Sequence, residues 1–248
     1  MADVSAAADA VTAANNLLNG NLSNILNFLS AAAGLGTAAM GLVDTSKAFN
    51  GGASNFGFGY IENAIGPFLP AGGETFGKAK ILETLKANWL NGVAAADQKA
   101  KAKSLIHLGL TTGNAAQLAA TAGVDAAKLT SLAQNVANGA NPSQDELNVL
   151  GQFDVILSAA LDAAYERGDQ KYRNASKALA MGVATGLAVI AGWLIYGSGT
   201  SSIWGYFGSW NFGLSIIVGL SATPLAPVAK DLSTSLQAAA KAVVAASP

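Results

Sequence analysis

Apolar residues follow helical spacing along most of this chain, and in two places they run on with no charge at all. The longer run covers residues 178–229, 52 positions without Asp, Glu, Lys or Arg. One membrane span takes about 20 residues, so a run of this length predicts two spans joined by a turn. The turn signal is Gly197-Ser-Gly-Thr-Ser-Ser202, which separates a helix over 178–196 from a second over 210–229. Thr223-Pro224 and Pro227 fall within the second helix, where they are expected to kink it or to end it early ahead of an interfacial helix from Lys230 to Val244. A third helix is expected over 22–43 (LSNILNFLSAAAGLGTAAMGLV), charge-free but rich in Ala, Gly, Ser and Asn.

Between these apolar ends the pattern turns amphipathic. A Gly-rich linker is expected over 44–60, including NGGASNFGFG at 50–59. Beyond it, Ile81, Leu82, Leu85, Trp89 and Leu90, then Leu105, Ile106, Leu108 and Leu110, recur at helical spacing. Residues 115–137 continue in the same way, interrupted at Gly123 and ended by Gly139-Ala-Asn-Pro142. Ser143 and Glu146 then stand three apart, the reciprocal arrangement of a capping box, and Leu147, Leu150, Phe153, Leu157, Leu161 and Ala164 trace one helical face after them. No strong breaker other than Gly151 and Gly168 precedes Gly197, so a helix of roughly 80 Å could run from this domain into the apolar run, with a kink expected at Gly168. The expected fold is all-α: an integral membrane protein with two to three transmembrane helices and a helical bundle over 61–177.

Composition strengthens the membrane reading. Charged residues are only 12% of the chain against 51% hydrophobic, about half the usual charged share of a soluble domain. Mean hydropathy is +0.36. Fourteen Lys and Arg balance 15 Asp and Glu, and no basic stripe suited to neutralising phosphates is present, which argues against nucleic-acid binding. Charge position is more telling than charge sum, since residues 44–177 hold 12 of the 14 cations while residues 1–43 hold only Asp3 and Asp9. Arg173 and Lys177 before the hairpin and Lys230 after it predict cytoplasmic ends, with Trp193, Trp204, Tyr206 and Trp210 marking the opposite membrane interface. If 22–43 spans, the cation-free N-terminus lies outside and Lys47 inside. The N-terminus has no positive segment of the kind a secretory leader needs.

Small residues crowd the predicted spans. Gly182 and Gly186 form a Gly-x-x-x-Gly pair, and with Ala184, Gly192, Gly34 and Gly36 they are candidate helix-packing positions, within the chain or between copies. Candidate chemistry is sparse. With no cysteine and with His107 as the single histidine, thiol nucleophiles, zinc–thiolate sites and two-histidine sites are excluded. Asp162, Glu166 and Asp169 lie beside Arg167 and Lys171 and read as a solvated helical face. Gly57-Phe-Gly59-Tyr60 lacks the Lys-Ser/Thr and the preceding strand of a phosphate loop. No predicted span carries a charge, which argues against a proton relay or a carrier of charged substrates. No catalytic residue, cofactor, metal or small-molecule substrate is identified.

Ile61-Glu-Asn-Ala-Ile-Gly-Pro67, Tyr172-Arg173 and Ala222-Thr-Pro224 with Asp231 carry a resemblance in layout. The chain resembles uncharacterised bacterial inner-membrane proteins with an N-terminal hydrophobic helix, a helical cytoplasmic region and a C-terminal transmembrane hairpin. It departs from them in having Leu225 and Ala226 where aromatic residues are expected. The resemblance implies an inner-membrane, multi-pass topology with a cytoplasmic central domain and supplies no activity. The sequence therefore points to a non-enzymatic, self-associating scaffold whose partners are the lipid bilayer and other copies. A first alternative is a homo-oligomeric pore lined by Asn24, Asn27, Ser30, Thr37 or Ser215. A second is a soluble bundle with an insertable hairpin.

Overall fold

A computed structural model describes residues 2–17, 22–46, 49, 51–70, 77–197 and 203–246; side chains at 2–3, 15–17, 22–26, 197, 203, 229–230 and 232–246 lie outside that description. Ten α-helices occur among the described residues: α1 (Ala2–Leu17), α2 (Leu22–Thr45), α3 (Phe58–Ile65), α4 (Lys78–Leu90), α5 (Ala95–Leu108), α6 (Ala115–Ala122), α7 (Ala126–Ala137), α8 (Gln144–Gly192), α9 (Ile203–Phe207) and α10 (Trp210–Ala246). No strand occurs among the described residues, so the chain is all-α as its periodicity predicts. Three helices contain stretches long and apolar enough to cross a membrane: Asn27–Thr45, part of Gln144–Tyr196, and Trp210–Val228. The chain divides into a terminal unit, Met1–Ala53 with Asn174–Pro248, and a central unit, Ser54–Arg173. The N-terminal region, expected as a separate segment, thus shares a unit with the C-terminal hairpin.

The central unit folds around the face of α8 that the sequence marked out. Phe153, Leu157 and Leu161 are fully buried, with Ile61 and Ile65 of α3, Leu85 of α4, Ile106 of α5 and Leu129 of α7 in the same core. Phe68 meets Phe153 edge-on at 6.0 Å between centroids. Each such aliphatic or aromatic side chain contributes about 1.5–3 kcal/mol through burial, which makes this core the main source of the unit's stability. Leu147 does not join it and is exposed. Gly123 ends α6 in the left-handed conformation at φ 70°, where a side chain would be strained.

The capping box forms as the sequence predicts. Ser143 N–H donates to Glu146 Oε2 at 2.7 Å, and Glu146 N–H donates to Ser143 Oγ at 3.4 Å. Ser131 Oγ and Asn135 Nδ2 also donate to the Glu146 carboxylate, at 2.5 Å and 3.0 Å to Oε1. These bonds, that from Ser131 first, hold the carboxyl at about 2, well below the usual carboxylate range.

One expectation in this unit is corrected. The segment over 44–60 is not simply a linker: Gly52–Asn55 forms a 3₁₀ turn and α3 begins at Phe58. Gly57 is a packing residue, because a Cβ there would strike the Gly168 carbonyl oxygen and come within 2.9 Å of the Trp89 ring. Gly168 lies within α8, with α-helix on both sides of it. Its lack of a side chain serves this close backbone approach, over which Trp89 is held by an Nε1 hydrogen bond to Ser54 O at 2.6 Å and by edge contacts to Tyr165 and Tyr172. Burial pushes the Tyr165 hydroxyl up to about 12.

The terminal unit packs with smaller side chains. Its buried positions are Ala7, Ala10, Val11 and Ala14 on α1; Ala32, Leu35, Ala39 and Val43 on α2; Ala180, Ala184, Ala188 and Ala191 on α8; and Leu214, Val218 and Ala222 on α10. Alanine and glycine at crossings bring backbones close, so many weak dispersion contacts replace a few bulky ones. Of the two expectations for its prolines, an early end is not met: α10 runs on through Pro224 and Pro227 to Ala246. Neither proline has an N–H, which removes the usual donors to the Leu220 and Thr223 carbonyls. Packing of α10 against α2 at Ala222 and Ala226 holds the helix through that gap.

Candidate functional site

The predicted helix-packing residues separate into two sets. Gly36 lies at the crossing of α2 and α10: a Cβ there would come 2.7 Å from the Ala222 carbonyl carbon and 3.0 Å from Ala226 Cβ. Gly192 is closed over by Tyr206 and Ser215, and Ala184 is fully buried. Gly182 and Gly186, by contrast, are exposed, and a Cβ at either would meet nothing within 4 Å. The geometry of the helix explains this, because a step of two residues turns about 200°, so the pair faces away from Ala180 and Ala184. Gly34 is also exposed, and a Cβ there would lie 3.9 Å from Ala6 Cβ. Sequence reasoning missed Gly219, whose Cβ would lie 2.7 Å from Thr185 N at the crossing of α10 with α8. Its signal was one glycine among many in an apolar run.

The aromatic positions divide likewise. Trp204 and Trp210 are strongly exposed and Trp193 partly so. Tyr206 is instead buried within the chain. Its hydroxyl bonds Ser215 Oγ at 2.9 Å and donates to Val189 O at 3.2 Å, and its ring packs edge-on against Phe212. A buried tyrosine hydroxyl needs such partners, and the missing side chain at Gly192 makes room for it. Lys177 is exposed, and Arg173 Nε bonds Asp169 Oδ2 at 2.7 Å. The Lys230 and Asn24 side chains, Lys47 and the turn at 198–202 lie outside the description.

Exposed surface in the terminal unit has two opposite characters. On α8 and α10 it is apolar: Leu179, Ile190, Leu194, Ile217, Leu220 and Val228 are all exposed. On α2 the exposed positions Asn27, Ser30, Gly34, Thr37 and Gly41 recur at steps of 3, 4, 3 and 4, a heptad stripe of polar and small residues. Exposed Asp9 and Thr12 of α1 adjoin it. Between α1 and α2 lies a cleft of about 520 Å³ lined by Ala6, Asp9, Thr12 and Ala13 from one helix and Asn27, Ser30, Ala31 and Gly34 from the other. The sequence assigned no charge to a span; α1 brings the Asp9 carboxylate alongside Asn27 and Ser30, which belong to the apolar stretch Asn27–Thr45. A linear reading cannot supply that neighbour, because α1 has to fold back first.

Groups familiar from catalysis are engaged in surface ion pairs. His107 Nε2 lies 2.5 Å from Asp154 Oδ1 without the alignment of a hydrogen bond, and Lys103 Nζ lies 3.6 Å from Asp154 Oδ2. Lys99 pairs with Asp162 at 2.6 Å. Among the described residues no group of three His, Asp or Glu side chains is placed to hold a metal. Comparison of the chain with protein-family models, with curated proteins and with solved structures finds no match.

Proposed function

We propose that the chain is a non-enzymatic, multi-pass membrane protein that self-associates, serving as a scaffold in a bacterial inner membrane with its central unit in the cytoplasm. The observation that carries this reading is the opposition of exposed faces in the terminal unit. Leu179, Ile190, Ile217 and Leu220 suit lipid, whereas Asn27, Ser30, Thr37 and Asp9 do not. Without water in the hydrocarbon region, a stripe of hydroxyl, amide and carboxylate groups needs protein or a water-filled space against it. A second copy provides either. Gly34 and Gly41 within the stripe let a neighbouring helix approach closely. Extraction into mild detergent followed by native mass measurement tests the proposal: a defined oligomer is expected, and a monomer soluble without detergent refutes it.

A pore is the second reading, favoured by the same stripe. Of its sequence candidates, Asn27, Ser30 and Thr37 share one exposed line, while Ser215 is buried and bonded to Tyr206 and to Asn211 O. Copies arranged with α2 inward would line a neutral polar path. Conductance of reconstituted liposomes separates the readings, since a closed scaffold gives none.

A further inference from the structure

We propose that the cleft between α1 and α2 is a monovalent-cation site, with Asp9 supplying the charge that gives the path cation selectivity. The inference rests on the pore reading. One carboxylate shares a cleft of about 520 Å³ with three neutral oxygen-bearing side chains, Thr12 on its own helix and Asn27 and Ser30 on the opposite wall. Among the described residues no cation pairs with Asp9, so its charge is available to a mobile ion. Within one copy, a single carboxylate among hydroxyl and amide groups balances one positive charge. The cleft is far larger than a bare ion and can hold many waters at roughly 30 Å³ each, so the ion enters hydrated. Selection is then by sign of charge and not by ionic size.

Position supports the role. Ala6 lies against Gly34, and Asp9, Thr12 and Ala13 line the cleft with Asn27, Ser30 and Ala31. Asp9 therefore stands beside the opening turns of the stretch Asn27–Thr45, near one end of that candidate span. A carboxylate from each copy at the mouth of a path raises the local cation concentration and repels anions, as acidic rings do in cation channels.

The test is reconstitution of the full chain in liposomes across a KCl gradient. Wild-type protein is expected to conduct with a reversal potential on the cation side and with little discrimination between Na⁺ and K⁺. In Asp9→Asn the K⁺-to-Cl⁻ permeability ratio should fall toward one. Adding Asn27→Asp to that variant returns a carboxylate to the opposite wall of the cleft and should restore selectivity. Far-UV circular dichroism and native mass confirm that both variants fold and assemble. Conduction with selectivity unaffected by Asp9→Asn overturns the cation site and leaves the pore; absence of conduction from correctly assembled wild-type protein overturns both.

Discussion

Gly36→Ala perturbs the crossing of α2 and α10 by one methyl group, and its cost follows from what that methyl would meet. The added carbon would lie 2.7 Å from the Ala222 carbonyl carbon and 3.0 Å from Ala226 Cβ, against 3.4–4 Å for ordinary contact. The obstacle is backbone, which no rotamer change removes, so α2 must shift by roughly the 0.5–1 Å that forfeits a quarter to a half of each neighbouring dispersion contact. Overpacking of this kind costs about 1–3 kcal/mol, which outweighs the gain of up to about 1 kcal/mol that alanine brings as a better helix former. Gly213→Ala is the control, because on α10, outside the polar stripe, its methyl would meet nothing within 4 Å. Equilibrium unfolding in mixed detergent, followed by helical circular dichroism, should place Gly36→Ala below wild type and Gly213→Ala at or above it. Equal stability of the two variants would refute the packing argument.

Leu157→Ala empties a fully buried site in the central core and should lower stability by about 2–5 kcal/mol in a thermal or urea melt. Tyr206→Phe removes the hydroxyl that binds Ser215 and Val189 O and should cost on the order of 1 kcal/mol, read by the same unfolding assay, with no change if the ring faced the bilayer surface instead. Glu146 gives a pH dependence of definite sign. Its folded value of about 2 lies below the unfolded value of about 4.3, so its stabilisation is complete above the unfolded value and is lost as pH falls through the folded one. Melts between pH 5 and pH 2 should therefore show a decline that Glu146→Gln makes shallower; identical slopes would contradict the assignment.

Local signals account for what could be read before the fold was known. Periodicity at Phe153, Leu157 and Leu161 marked the core face of α8, and the Ser143 and Glu146 pair marked its start. Those features depend on residues three or four apart. What escaped notice depends on residues far apart: Gly57 with Gly168, Gly36 with Ala222, Gly219 with Thr185. A glycine shows in sequence that a backbone can come close, and does not show which one. Pro224 and Pro227 left open whether α10 would kink or end, and only the second is excluded by its course to Ala246. Aromatic type alone does not show that Tyr206 is buried beside a hydroxyl nine residues away. Asp9 was visible only as a charge near the N-terminus until α1 lay against α2.

Cysteine cross-linking in the bilayer tests most directly whether copies meet through the polar face of α2 and turn α8 and α10 to lipid. The chain has no cysteine, so Thr37→Cys and Ile217→Cys each introduce a single thiol on one of the two faces. With a short bis-maleimide in native membranes, Thr37→Cys should yield covalent dimers and Ile217→Cys should not. Dimers from Ile217→Cys alone would contradict the account.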